Sequence, residues 1–405
     1  MANQLFDTTS ANAVLKELYD GQLPENMVYE DHPLFAMLEK KTDFGGRNYP
    51  LPVQYAVSQG RSSDFLTAQS NASANQFVEF LLTRVKDYSI AYITNELLLA
   101  ATTDRESFIR SATNLVDGAI TSATASLSSS LFRSGTGTIG QIASITAGVI
   151  TFVDPQMVTQ FEKNMVLQSN ATDGGTPRAA LGYVIGRNGA AGTITVAATF
   201  GGAAGTPAAW AVADFLLVQG DNNLKLKGLA GWLPVVAPVP GDNFFGVDRS
   251  SDSRLYGIYQ DYSSESIEEG LIDGSQLLAR EKGSPDVAIL SYTSWGALEK
   301  SLGAKVQYLD LTKGEIAFRG IMINGGKKQI KVFPDKDCQG LTAYLLQMNT
   351  WVLASLMEAP MILKYGSNDE MLRVYNADQA ELRVGMYGNL GCKAPGWNMN
   401  MKISA

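Results

Sequence analysis

The spacing of apolar positions changes several times along this chain, and each change marks a different kind of element. Over 11–19 apolar residues recur at helical spacing, with Gly21 to stop the helix and Pro24 and Pro33 beyond it. Residues 1–42 carry too little apolar surface for a core of their own, so they read as an arm lying on something larger. From 43 to 90 the pattern predicts two extended pieces, 47–57 and 76–88, around a polar tip at 58–75 rich in Ser, Asn, Ala and Gln. Pro50 and Pro52 place the first piece at an exposed or edge position, because proline cannot donate to a ladder. The whole reads as a long β-hairpin, which is marginal alone and needs a partner surface.

The plainest helical pattern covers 103–132. Thr103 and Glu106 make a capping-box pair at its start. Phe108, Ala112, Leu115, Ala119, Ala123, Leu127 and Leu131 fall on one face, and Gly135 follows as a stop signal. About 28 residues give a rod of roughly 42 Å. The opposite face is rich in Ser and Thr where an ordinary surface helix carries Lys and Glu, which suits a helix in a crowded shell.

In 136–228 charges become sparse and Gly, Ala and Thr rise. Short strands are predicted at 148–152, 165–168, 180–185, 193–197 and 215–218, with turn signals at Asp173-Gly174-Gly175, Asn188-Gly189 and Gly201-Gly202. This spacing predicts an inserted small β-barrel or sandwich. From 263 the pattern returns to α/β. Ser266 and Glu269 form a second capping box, with Ile267, Leu271, Leu277 and Leu278 as the apolar positions. A buried strand is predicted at 287–290, a helix at 293–302, and strands at 316–323, 329–332 and 343–347. A mixed sheet flanked by helices fits this order. The tail, 356–405, reads as antiparallel strands at 371–375 and 382–387 and a last one through 399–403. No tandem repeat is visible.

Composition narrows the function classes. The chain has 405 residues, 45% hydrophobic and 18% charged, enough apolar matter to fill a large core and to exclude wholesale disorder. So few charges suggest a surface covered by neighbouring copies. The net charge of -8 disfavours binding of nucleic acid by phosphate neutralisation. Cys338 and Cys392 form no CxxC pair, which excludes zinc ribbons and disulfide scaffolds and leaves two structural thiols. His32 is the single histidine; followed by Pro33 in a polar segment, it is expected to be an ordinary loop residue. One histidine cannot supply the base, relay or cluster ligand that many enzymes require. The N-terminus lacks the basic-then-apolar pattern of a signal peptide, and no run reaches 18 apolar residues.

Four motifs invite chemistry and fail on context. Gly135-Thr-Gly137-Thr-Ile-Gly140 matches GxGxxG, but a long helix precedes it and a β-rich module follows. A dinucleotide site needs the reverse order, so a flexible linker is expected. Gly325-Gly326-Lys327-Lys328 ends like a P-loop, but Ile321 stands where the first glycine belongs and Lys328 where Ser or Thr belongs; a hairpin turn is expected. Glu268 and Glu269 point about 100° apart on a helix, so they favour the helix dipole rather than acting as an acid–base pair. Asp335 and Asp337 fall in a predicted solvated turn, with a cation site as the weaker alternative. The five Trp residues are scattered and form no basic–aromatic stripe. No catalytic residue, cofactor or metal site is expected, and the chain does not read as an enzyme.

The order of elements resembles the major capsid protein of tailed bacteriophages, the Hong Kong 97-type fold. Asp87-Tyr-Ser-Ile-Ala-Tyr-Ile-Thr-Asn-Glu-Leu-Leu, running into the long helix and ending at Gly135-Thr-Gly137, resembles the family's passage from hairpin to spine. Ser284-Pro-Asp-Val-Ala-Ile-Leu, Trp295-Gly-Ala-Leu, Val332-Phe-Pro-Asp-Lys-Asp-Cys338 and Ala343-Tyr-Leu-Leu resemble its axial domain. Tyr387-Gly-Asn-Leu-Gly-Cys-Lys-Ala-Pro-Gly396 resembles its closing passage. The likeness spans nearly the whole chain, and the order carries most of it.

The resemblance implies an α+β Hong Kong 97-like capsid fold with these parts: an N-terminal arm (1–42), an extended hairpin (43–90), a peripheral domain with the spine helix (91–135), an inserted β-rich domain (136–228), an axial domain (229–355), and C-terminal strands of the peripheral domain (356–405). It implies a structural subunit that assembles as pentamers and hexamers of an icosahedral phage head around double-stranded DNA. Another self-assembling subunit, of a tail, a surface layer or an encapsulin-like compartment, is the alternative. Contacts between subunits are then expected on the hairpin, with Arg47, Arg61, Asp64, Phe65, Glu79, Arg84 and Lys86 as candidates. Some relatives crosslink a hairpin lysine to a neighbour's Asn; 42–85 contains no lysine, which puts that bond in doubt here. The implied partners are further copies, a portal, a separate scaffolding protein (the arm is too short to hold one), a cementing or decoration protein, and packaged DNA held without sequence recognition. No membrane is implied. The implied location is the virion capsid, made in the bacterial host cytoplasm.

Overall fold

The computed structural model describes residues 32–95, 105–302, 308–309, 320–364 and 371–404. The expected helix at 11–19 and the capping residue Thr103 lie outside them, as do the side chains of Glu106, Phe108, Ala112 and Leu115. The described chain starts with a short helix α1 (Pro33–Met37) and a three-residue strand β1 (Glu39–Lys41).

The hairpin is β2 (Asn48–Ala56) against β3 (Gln76–Thr83), with a short helix α2 (Phe65–Ser70) at its tip and with Leu51 opposite Phe80 and Val53 opposite Val78. Leu51, Val53, Phe80 and Leu82 face inward and are buried. Pro50, Pro52, Gln54, Phe77, Glu79 and Leu81 face outward and are exposed. The Leu81 N–H, opposite Pro50, points away from β2 to the Phe245 carbonyl at 2.9 Å. Backbone groups of this row therefore face the open edges, and on β2 the two prolines remove the donors there, which blunts the edge against a further strand.

The extended piece expected at 76–88 is in fact two strands. β3 ends at Thr83, and β4 (Val85–Thr94) pairs with a different sheet. Buried positions run Phe80 and Leu82 before Arg84, then Ala91 and Ile93 after it, so the phase shifts by one residue. A one-residue slip flips every side chain to the other face.

The spine helix α3 (Arg105–Phe132) then buries Ala119, Leu127, Leu131 and Phe132. The segment expected as a flexible linker is a fixed turn. Gly135 and Gly137 have φ of +94° and +84°, and a Cβ on Gly137 would lie 2.5 Å from the Asp221 carbonyl. Only glycine fits a left-handed conformation that close to another backbone.

This turn leads directly into strand β5 (Thr138–Thr146), followed by β6 (Val149–Phe152), β7 (Val166–Asn170), β8 (Gly182–Asn188), β9 (Thr193–Ala197) and β10 (Phe215–Val218). They close into a barrel in the order β10-β5-β6-β9-β8-β7. Ile142, Ile150, Phe152, Phe161, Leu167, Val184, Ile194, Val196 and Leu216 fill it, with Phe152 and Phe161 stacked at 4.7 Å. Its two ends meet: the Asn223 N–H reaches the Thr136 carbonyl at 3.0 Å, and the Gly228 N–H reaches that of Arg133 at 2.9 Å. The barrel thus leaves and rejoins the rest of the chain at one point.

A short helix α4 (Leu229–Trp232) and a small ribbon of β11 (Asn243–Phe244) and β12 (Val247–Asp248) follow. Trp232 is fully buried. Its ring meets Phe80, Phe244, Phe245 and Trp351, and its Nε1–H donates to the Leu390 carbonyl at 3.0 Å. This aromatic group joins the hairpin root to the sheet beneath it.

Next come β13 (Ile258–Tyr262), α5 (Ile267–Arg280), β14 (Val287–Leu290), α6 (Tyr292–Leu302), β15 (Tyr308–Leu309), β16 (Gly320–Asn324), β17 (Gln329–Pro334) and β18 (Thr342–Leu346). Both bonds of the Ser266–Glu269 capping box are present. The Gly325–Lys328 segment is the turn between β16 and β17. Then follow β19 (Trp351–Ser355), β20 (Met361–Ile362), β21 (Met371–Arg373), β22 (Gln379–Cys392) and β23 (Met399–Ile403).

One sheet has the order β13-β23-β18-β14-β17-β16-β15, and the other is built on β22, with β1, β19, β20, β21 and β4 around it. Two expectations for the tail are corrected. β22 does not stop at 387 but continues through Gly388 and Gly391. A Cβ on Gly388 would lie 2.5 Å from the Ala354 carbonyl, so this glycine marks close backbone approach, not a turn. β23 also leaves the β22 sheet and pairs with β18 and β13 in the other, because Met399, Met401 and Ile403 belong to that sheet's core.

Candidate assembly surfaces and a buried polar junction

All seven residues singled out for contact between subunits are exposed. They do not form one patch by sequence order alone. Arg47 and Arg84 sit at the hairpin root, where Arg84 Nη1 donates to the Phe44 carbonyl at 3.4 Å. Glu79 lies on the outward face of β3. Lys86 belongs to β4 and is paired opposite Tyr387. Arg61, Asp64 and Phe65 lie at the tip, where a six-residue helix, Phe65–Ser70, interrupts the loop. Asp64 caps it, accepting from Thr67 N at 2.9 Å and Thr67 Oγ1 at 2.8 Å, and these bonds hold its carboxyl below the usual range. Ser58 N to Asn75 Oδ1 at 2.7 Å and Ser73 N to the Gln59 carbonyl at 2.6 Å close the tip. A loop tied this way presents its apolar side chains in a fixed place. Phe65 is 77% exposed and Phe77 is 62% exposed, with Leu66 and Val57 also outward. Sequence reasoning named Phe65 and missed Phe77; the alternation on β3 carried the signal.

The larger surprise is internal. The turn expected to be solvated, Asp335-Lys336-Asp337, is buried, with Asp335 0% and Asp337 1% exposed. His32, expected in a loop, is buried against it. His32 Nδ1 lies 3.1 Å from Asp337 Oδ2; an ionised carboxylate only accepts, so the imidazole donates. Ser128 Oγ of the spine helix donates to the same oxygen at 2.7 Å, and Gln160 Nε2 of the barrel reaches Asp337 Oδ1 at 3.4 Å. Asp335 accepts from Asp337 N at 2.9 Å and Leu34 N at 3.5 Å. Gly340 N donates to Asp154 at 2.7 Å. The last part of the arm, the spine, the barrel and the turn after β17 are therefore joined through two adjacent carboxylates. No spacing rule brings residues 32, 128, 160 and 337 together, so the sequence carried no signal for it.

The two carboxylates behave oppositely. Burial works to raise Asp337, but the His32 hydrogen bond, the Lys336 charge and Ser128 outweigh it and hold the carboxyl below the usual range. Burial and the Asp337 charge push Asp335 up to about 7. A folded value above the unfolded 3.8 means the stability tied to this proton is complete below 3.8 and is lost as pH rises through about 7. Asp335→Asn is therefore expected to gain on the parent protein in thermal stability as pH rises from about 4 to about 8. A difference in melting temperature that stays flat across that range would show that Asp335 carries no such proton.

A second polar knot lies at the base of β4. Lys225 Nζ meets Asp87 Oδ1 at 2.8 Å, Ser126 Oγ at 2.9 Å and Asp221 at 3.2 Å. Burial works to lower the Lys225 ammonium, but the two carboxylates outweigh it and raise it. Together with Ser128, Ser126 shows that part of the serine-rich helix face serves this chain itself. Cys338 and Cys392 are buried free thiols, both raised by burial, with Cys392 at about 12. Thiols held in the protonated form are poor nucleophiles. Among the described residues no group of three or more His, Cys, Asp or Glu could hold a metal ion, and no helix is long and apolar enough to cross a membrane.

No protein-family model matches the chain, and no curated protein matches it either. Solved structures do. The chain is similar to one from the capsid asymmetric unit of cyanophage A-1(L), with a TM-score of 0.55, 10% identity, and 94% of each chain covered. It is also similar to one from the capsid of the native GTA particle, with a TM-score of 0.50, 10% identity, and 98% of each chain covered. The fold is the Hong Kong 97-like capsid fold of phage major capsid proteins, a mix of helix and sheet.

Proposed function

We infer from this capsid fold that the chain is the shell subunit of a phage-type capsid. The observation that carries the reading is the likeness to capsid chains over 94% or more of the length. The outward apolar face and tip of the hairpin support it, since side chains such as Phe65 and Phe77 lack cover from the described residues. In this reading pentamers and hexamers close an icosahedral head around double-stranded DNA. The shell's net negative charge keeps the packaged DNA from sticking. The arm, the hairpin, the spine, the inserted barrel, the axial sheet and the terminal strands are its working parts. Subunit contacts fall on Arg47, Arg61, Asp64, Phe65, Glu79, Arg84 and Lys86. A portal and a separate scaffolding protein take part in assembly, and the barrel is the place for a cementing or decoration protein. The mechanism is mechanical: a subunit with a solid core lends extended parts to its neighbours, and the interfaces are of the obligate class.

Electron microscopy of the protein expressed alone and with its genomic neighbours tests this. Closed shells of icosahedral symmetry are expected. Tubes or flat lattices would favour a tail or surface-layer subunit, and discrete monomers in every condition would overturn the shell reading.

A further inference from the structure

The root of the hairpin holds two cations that no described residue of the subunit pairs with. Arg249 is only 4% exposed. Its Nη1 donates to the carbonyls of Gly231 at 3.0 Å and Trp232 at 3.3 Å, and its Nε has no partner. Its guanidinium lies 3.9 Å from the centre of the Phe244 ring. Lys227 Nζ lies 4.8 Å from the centre of that same ring and 5.0 Å from that of Phe245. Among the described residues neither side chain has an ion-pair partner. Burial lowers both groups, Arg249 to about 10, and the Arg249 charge adds to the lowering at Lys227. Only the exposed Asp242 acts against this, from further away. Two like charges beside one ring, with an orphaned N–H in the interior, are an arrangement that a carboxylate would relieve.

The same sequence contains an acidic segment to match. Residues 1–31 carry Asp7, Glu17, Asp20, Glu25, Glu30 and Asp31 against the single Lys16, most of the net charge of -8. Fully extended, such a segment reaches about 100 Å from His32, far enough to leave its own subunit. The cation pair also adjoins the hairpin face described above, because Phe245 accepts the Leu81 N–H at 2.9 Å.

We propose that Lys227 and Arg249 receive a carboxylate from residues 1–31 of a neighbouring copy in the assembled shell. Lys227, half-buried, makes the direct ion pair, and Arg249 supports it from beneath. The inference rests on the shell reading. It gives the hairpin root a charge lock that is absent from the free subunit.

Shells assembled from an equal mixture of heavy-nitrogen-labelled and unlabelled full-length chain test it, with a water-soluble carbodiimide as the probe. The reagent activates a carboxylate, the Lys227 amine displaces the urea, and an amide remains wherever the two groups were paired. Peptide mass spectrometry is expected to find Lys227 joined to an acid within residues 1–31, in mixed heavy–light pairs at the share set by random mixing. The yield is expected to be at least about tenfold higher in shells than in unassembled subunits. It should fall several-fold when salt is raised from about 0.05 to about 0.5 M. Links only within one label would place the arm on its own subunit and overturn the proposal. So would shells in which Lys227 is unlinked or joined only to Asp242. A preparation that forms no shell at all overturns the shell reading, and this inference with it.

Discussion

Replacing both Phe65 and Phe77 with serine abolishes shell assembly at concentrations where the parent protein assembles, and leaves the subunit's own stability unchanged. The two rings are 77% and 62% exposed, so their removal opens no cavity within the chain. Exposed substitutions away from caps and buried networks stay within about 0.5 kcal/mol. In a shell each ring buried against a neighbour contributes about 1.5–3 kcal/mol, and the loss recurs at every subunit. A pair of losses of that size raises the assembly threshold by about a hundredfold or more. Sedimentation and electron microscopy read the assembly, and thermal melting of the unassembled subunit reads its fold. Shells forming at the parent's threshold would remove the hairpin face from the contact. A lowered melting temperature would mean that the rings pack within the chain after all.

Asp337→Ala acts in the opposite way, on the subunit itself. It removes the acceptor shared by His32, Ser128 and Gln160 in a site that is 1% exposed. Removing one partner of a buried charged network costs about 3–5 kcal/mol, because the remaining polar groups cannot find water. A melting temperature lower by about 4–6 °C is expected for a chain of this length, with Asp337→Asn losing less because it keeps the shape and one acceptor. Limited proteolysis near His32 should accelerate in step, since Asp337 ties the start of the described chain to the spine. A variant as stable as the parent would mean that the junction is filled by packing alone.

The hairpin through Thr83, the spine helix, the barrel strands β6 to β10 and the Ser266 capping box were legible because each is local; β5, whose start read as a linker, was not. Period-2 alternation around Leu51 and Val53, three- to four-residue spacing up to Leu127 and Leu131, and Gly-rich turns between short strands all act over a few residues. Where the reading failed, a distant partner had changed the meaning of a local signal. Gly388 and Gly391 read as the end of a strand, but they lie inside β22 because the Ala354 carbonyl and the Leu82 side chain come close. Gly135 and Gly137 read as a loose linker, but Asp221 and Lys227 pack on them. Asp335 and Asp337 read as solvated because charges in a turn usually are.

The sequence by itself determined the kinds and order of most of the elements, the apolar face of the spine helix, and the blunted proline edge of β2. These follow from side-chain periodicity and backbone restriction, which act between near neighbours in the chain. Only the tertiary structure decided that β4 leaves the hairpin, that β23 crosses to the second sheet, that the inserted strands close on themselves, and that His32, Ser128 and Asp337 meet. Each of these brings together residues tens to hundreds of positions apart, and what selects them is the burial of whole faces and the pairing of buried charges.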